Sequence, residues 1–153
     1  MNLPPTLDHA GIAERIPHAG RMCLLDALLD WTPERIRCSA RSHHAPDHPL
    51  RSASGLLAPC AIEYAAQAMA LHGALIAPPG SRPTPGYLAS VREVRLAVPA
   101  LHTLAGELQV EAERLAGDQR QILYRFAVRD GAGGAVADGR ATVVLNVMPE
   151  HTA

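Results

Sequence analysis

The segment from Leu57 to Ile76 constrains this chain more than any other. Between Leu56 and Leu71 every residue is apolar except Glu63 and Gln67. The pattern predicts a helix that starts near Leu57, tolerates Pro59 in its first turn and ends before Pro78-Pro79-Gly80. A helix that is greasy on every side has to be buried on every side, so the rest of the chain must wrap around it. Glu63 interrupts the run, which rules this best apolar stretch out as a membrane span. Burying a carboxylate costs several kcal/mol unless it is paired or put to work. Gln67 lies one turn further along the same face. His43, His44, Asp47 and His48 stand just upstream as partners for the acid. A buried acid within reach of a histidine is the smallest kit for moving protons on a substrate.

The flanking segments say what does the wrapping. Gly11 to Arg15 reads as a short helix ended by Ile16-Pro17, and Met22 to Leu29 as a short apolar element. Thr32-Pro33-Glu34 makes a turn, and Arg35 to Arg41 alternates like a half-buried strand. Ser42 to Ser54 is a polar loop that feeds the helix. After a Pro-rich linker, Pro78 to Pro85, Tyr87 to Val98 opens a set of strands read as a meander. Leu108, Val110 and Ala112 alternate with Glu107, Gln109 and Glu111, and Ile122, Tyr124, Phe126 and Val128 with Gln121, Arg125 and Arg129. Asp130-Gly131 is a strong hairpin signal. The last strand sets Val143, Leu145 and Val147 against Asp138, Arg140, Thr142 and Asn146. Helix and strands are segregated along the chain, which indicates one α+β domain spanning residues 1–153, with the helix packed on a curved antiparallel sheet.

Composition narrows the function classes. The net charge is −1, so bulk electrostatics give no argument for nucleic acid. All 14 basic residues are arginine, a bias that fits genomic base composition better than function. Three cysteines (Cys23, Cys38 and Cys60) without metal spacing suggest reduced thiols in the cytoplasm. Met1 to His9 lacks the basic start and apolar stretch of a signal peptide. The His43–His48 cluster matches no standard zinc spacing, so neither metal nor cofactor is expected. Cys60, near a helix start, is a candidate for a lowered thiol pKa, with buried packing as the plainer reading. His18, His72 and His102 suggest no role.

The element order resembles the hot-dog fold, an antiparallel sheet wrapped around a central helix. Ile16-Pro17-His18 through Met22-Cys23-Leu24-Leu25-Asp26 resembles the opening segment of the β-hydroxyacyl-(acyl carrier protein) dehydratases. His48-Pro49, followed by Ile62-Glu63-Tyr64-Ala65-Ala66-Gln67, resembles their catalytic histidine and acid-bearing helix. Tyr87 to Leu96 resembles the strand after that helix. The chain is most similar to the branch of predicted dehydratases associated with aryl-polyene-type lipid pathways. It departs from the common pattern in its Asp47-His48-Pro49-Leu50 loop and its Leu57-Ala58-Pro59-Cys60 helix start.

The resemblance implies that a β-hydroxyacyl thioester on acyl carrier protein loses water to give the trans-2-enoyl thioester. His48 would take the proton beside the thioester carbonyl, and Glu63, its pKa raised by apolar surroundings, would protonate the departing hydroxyl. Backbone N–H groups at the helix start, from Ala58 to Cys60, would receive the thioester oxygen, with Gln67 as a further substrate contact. Arg82, Arg92 and Arg95 would suit an acidic carrier, unless they are simply a solvated strand face. A hot-dog protomer leaves an edge open, so a homodimer is expected, or a heterodimer with another hot-dog protein. In the family the histidine and the acid of one site come from different subunits. Two other readings stay open: a non-catalytic subunit that pairs with a related dehydratase, and a hot-dog acyl thioesterase.

Overall fold

Alternation along the late strands decides which face of the sheet meets the helix. The computed structural model describes residues 6–78 and 86–145. Within it Ile122, Tyr124, Phe126 and Val128 are buried, while Gln121, Arg125 and Arg129 face solvent. Ile36, Cys38 and Ala40, and likewise Leu108, Val110 and Ala112, join them on the buried face. These rows pack on α2, Ala61–Ile76, which buries Tyr64, Ala65, Ala68, Met69, Leu71 and Leu75. Its many alanines keep the helix thin enough for a curved sheet to close around it.

Among the described residues seven strands form one antiparallel sheet: β1 (Leu7–Asp8), β2 (Ala27–Thr32), β3 (Arg35–Ala40), β4 (Gly86–Leu96), β5 (Leu108–Gly117), β6 (Gln121–Arg129) and β7 (Ala135–Leu145). Their order is β1-β2-β3-β5-β6-β7-β4. This is the hot-dog arrangement that the sequence pattern implied. The meander reading holds for β5, β6 and β7 but not for β4, which pairs with β7 at the far edge of the sheet. The chain leaving β4 crosses the start of the helix before it returns as β5. Along the way Ala58 N donates to Pro99 O (3.1 Å) and Leu101 N to Leu56 O (2.8 Å). That crossing satisfies backbone groups that helix ends leave without partners.

Two local boundaries also differ from expectation. The first helix, α1, spans His9–Ala13, two residues earlier than read, because Asp8 caps it by accepting from Gly11 N at 2.9 Å. The long helix is preceded by a 3₁₀ turn at Ala58–Cys60. The apolar element from Met22 divides into a 3₁₀ turn, Gly20–Met22, an extended stretch and β2. Most of the Pro-rich linker, with Arg82, and Asn146 and Val147 lie outside the described residues. Among the described residues no helix is long and apolar enough to cross a membrane.

Candidate active site

Glu63 sits in the first turn of α2, where the positive end of the helix dipole favours a carboxylate. Its side chain is half-buried, at 32% exposure, not sealed in as the apolar run suggested. The segment between α1 and the Gly20–Met22 turn brings His18 against it. His18 Nε2 lies 3.1 Å from Glu63 Oε1, and Gln67 Nε2 donates to the same oxygen at 3.3 Å. The two donors hold the Glu63 carboxyl below its ordinary pKa, His18 most strongly, and outweigh the upward push of burial. The raised pKa expected from the apolar run is therefore reversed. The sequence pattern sees the helix, but not the polar loop laid over it.

His48 ends up elsewhere. It is buried, at 5% exposure, and packs on Tyr64, the residue next to Glu63 on the helix but turned inward. Leu50 N donates to His48 Nδ1 (3.1 Å), so the ring proton sits on Nε2, which donates to the Tyr64 hydroxyl (3.1 Å). The chain continues from the Tyr64 hydroxyl to Ser42 Oγ (2.7 Å), which in turn donates to Leu24 O (2.8 Å). Both His48 nitrogens are thus spent. Burial lowers the His48 pKa, helped by Arg51 and opposed by Asp47, so the ring stays neutral at pH 7. Burial likewise raises Tyr64 to about 12. In this conformation His48 offers no lone pair to a substrate, and its partner is Tyr64, not Glu63.

The other expected contacts are also committed within the chain. Ala58 N donates to Pro99 O and Cys60 N to Leu57 O (3.0 Å), so neither is free for a thioester oxygen. The crossing segment takes the Ala58 N–H and the 3₁₀ turn takes the Cys60 N–H, both of which an abrupt α-helical start would leave open. Gln67 is fully buried: its Oε1 accepts from Leu24 N (2.8 Å) and its Nε2 donates to Met22 O (2.6 Å). It is a brace between the helix and the loop that carries His18. The Cys60 thiol is pushed up by burial and by Glu63, contrary to the reading of a reactive thiol.

The upstream histidines fan apart. His43 and His44 both turn Nε2 toward Leu104 O (3.2 and 2.7 Å), while Asp47 pairs with Arg21 at 3.2 Å. Among the described residues no group of three or more His, Cys, Asp or Glu is placed to hold a metal ion. Arg92 and Arg95 belong to the outer face of the sheet. Arg92 opposes Arg140 and Arg140 opposes Arg125 in direct register, and Arg95, Arg125 and Arg140 line a shallow basin of about 690 Å³. Glu93 and Asp138 neutralise Arg140 and Arg95, whereas Arg92 and Arg125 have no ion pair among the described residues.

Sequence reading gave His18 no role, because nothing local ties it to the helix. The available signal was its place in the segment whose far end, Met22 to Leu24, is pinned by Gln67. His72 is structural: Tyr124 donates to its Nδ1 and its Nε2 donates to Thr32 O.

The ApeP-like family model, described as ApeP dehydratase, matches residues 10–152. Among solved structures, the chain is similar to the dehydratase heterocomplex ApeI:P from Xenorhabdus doucetiae, with a TM-score of 0.75 and 22% identity over 90% of this chain and 91% of that one. It is also similar to a thioesterase from Haemophilus influenzae (TM-score 0.66, 11% identity, 96% of each chain). A mutant thioesterase from Pseudomonas aeruginosa shares the fold more distantly (TM-score 0.56, 13% identity, 77% of this chain and 78% of that one). At these identities the structures show a common fold. No curated protein matches the chain.

Proposed function

The chain belongs to the ApeP-like dehydratase family, and from that premise we propose that it serves in dehydrating a β-hydroxyacyl thioester on acyl carrier protein to the trans-2-enoyl thioester, in polyene or fatty-acid-like synthesis. The observation that carries this reading is the Glu63 carboxyl, half-exposed at the helix start and held by two donors on one oxygen. A base removes the proton beside the thioester carbonyl, the C=C bond forms, and the departing β-hydroxyl takes a proton from Glu63 in its protonated form, which the two N–H donors disfavour and substrate binding must restore, and leaves as water. The unpaired arginines of the outer face support docking of an acidic carrier. Three free thiols (Cys23, Cys38 and Cys60) support a cytoplasmic setting.

His48 is the base of the original expectation, and it acts as one only if its bond to Tyr64 or Leu50 is released. Its two spent nitrogens favour a second reading, in which a related hot-dog subunit supplies the base and this chain supplies the acid. The similar dehydratase from Xenorhabdus doucetiae is itself a heterocomplex. The β4 edge, with Tyr87, Val91 and Leu96 exposed, is open for a second subunit of either kind.

Mass spectrometry of a carrier-bound β-hydroxyacyl substrate tests both. Loss of one water with the chain alone, abolished in Glu63→Gln and in His48→Ala, supports a homodimer that uses both residues. Water loss only after a related hot-dog subunit is added, insensitive to His48→Ala but abolished in Glu63→Gln, supports the shared site. Loss of the whole acyl group would instead identify a thioesterase.

A further inference from the structure

We propose that His18 is the positioning residue of the Glu63 acid: it fixes which carboxyl oxygen carries the transferable proton and stabilises the carboxylate left after transfer. The proposal rests on the dehydratase reading for its catalytic meaning, and on geometry for its structural claim. His18 Nε2 and Gln67 Nε2 converge on the same atom, Glu63 Oε1, at 3.1 and 3.3 Å. Two N–H donors on one oxygen stabilise the ionised carboxylate and leave Oε2 as the atom that takes up and passes on a proton. No hydrogen bond within the described chain engages Oε2. The side chains of Glu63 and His18 are 32% and 25% exposed, which puts the pair at a partly open surface.

The remaining nitrogen of His18 supports this assignment. Nδ1 is buried with no partner among the described residues. A bare buried N–H is rarer and more costly than a bare acceptor, which places the ring proton on Nε2, as donor to Glu63. The groups facing Glu63 come from three elements: His18 from the loop after α1, Gln67 from the helix, and Cys60 from the 3₁₀ turn. Gln67 does not titrate, and burial with Glu63 pushes the Cys60 thiol up, so the His18 hydrogen bond is the strongest influence on the acid.

In turnover the Glu63 Oε2–H bond breaks as the proton passes to the β-hydroxyl and the C–O bond cleaves. The base holds the other proton, and the electron pair released at carbon becomes the C=C bond. The new carboxylate finds His18 and Gln67 already aimed at it, so little reorganisation is needed. Solvent then returns a proton to Glu63, and the base releases the other proton to solvent.

The test combines two readouts on the full chain: ¹³C NMR titration of the Glu63 side-chain carboxyl, and kcat and KM for water loss against pH, assayed with whichever hot-dog subunit activity requires. In His18→Ala the carboxyl midpoint should move up. The alkaline limb of the rate profile should follow it to higher pH, while the limiting kcat on the acid side falls roughly ten- to hundredfold with KM held, because the carboxylate left after transfer has lost a donor. His18→Gln, which returns an N–H donor, should recover part of both. A carboxyl midpoint that stays fixed in both variants would overturn the proposal. If the midpoint moves as described while no preparation loses water, His18 keeps its hold on Glu63 and it is the dehydratase reading that fails.

Discussion

Glu63 and Tyr64 are neighbours on one helix, and each meets one imidazole, yet the two pairs could hardly differ more. Glu63 with His18 lies at a partly open surface, and one carboxyl oxygen has no partner among the described residues. Tyr64 with His48 is sealed: the hydroxyl, both ring nitrogens, Ser42 and a backbone carbonyl form a closed run of hydrogen bonds. A helical step of about 100° separates a group that is available for chemistry from one that holds the structure together. Availability follows from a spare atom next to solvent, and the mere presence of a titratable pair does not provide it.

The comparison breaks most sharply at Glu63. Glu63→Gln preserves shape and an acceptor but removes the proton, so water loss should fall by about 10²- to 10⁴-fold while the urea midpoint stays put. A tenfold effect or less, read by mass spectrometry, would mean that the acid lies elsewhere. Tyr64→Phe should do the reverse. It leaves the buried His48 Nε2–H without an acceptor and should cost about 1–3 kcal/mol of stability, read as a lower urea midpoint at unchanged slope.

Acid titration sharpens the contrast further. The folded His48, His43 and His72 pKa values lie below the ordinary 6.5, chiefly through burial. The unfolded chain therefore takes up these protons first, so the stability they confer is full above pH 6.5 and is lost as pH falls below it toward the folded values. Glu63 is depressed from 4.5, and its contribution is lost only below that pH. Stability followed by urea melts should accordingly fall in two windows. His48→Gln should flatten the upper one by up to about 1.4 kcal/mol per pH unit, and an unaltered slope would show that His48 is already protonated in the fold. The smallest effect belongs to Arg21, which joins the two loops through an exposed ion pair with Asp47. Arg21→Gln should cost no more than about 1 kcal/mol, and a larger loss of thermal stability would mean that the two networks are coupled.

Much of the fold was legible because its signals are local. Period-two alternation marked β5 and β6, and Asp130-Gly131 marked the turn before β7. The all-round apolar run marked α2. The place of β4 was not legible, because nothing in Tyr87 to Leu96 says whether it pairs with β5 or with β7. That choice was made by residues 97–107 as they crossed the helix start. The same crossing, with the 3₁₀ turn, consumed the Ala58 and Cys60 N–H groups that a sequence reading leaves free.

The sequence by itself determined that a carboxylate would stand in the first turns of a buried helix, and that strands would wrap that helix. Both follow from which side chains water rejects, and that can be read one residue at a time. Only the tertiary structure decided which histidine meets the acid. The sequence pointed to His48 and gave His18 no role. The choice depends on Gln67 gripping the backbone at Met22 and Leu24, and on Leu50 claiming a His48 nitrogen. Hydrogen bonds between segments far apart in the chain carry no local signature, so the direction of the Glu63 pKa was settled by packing.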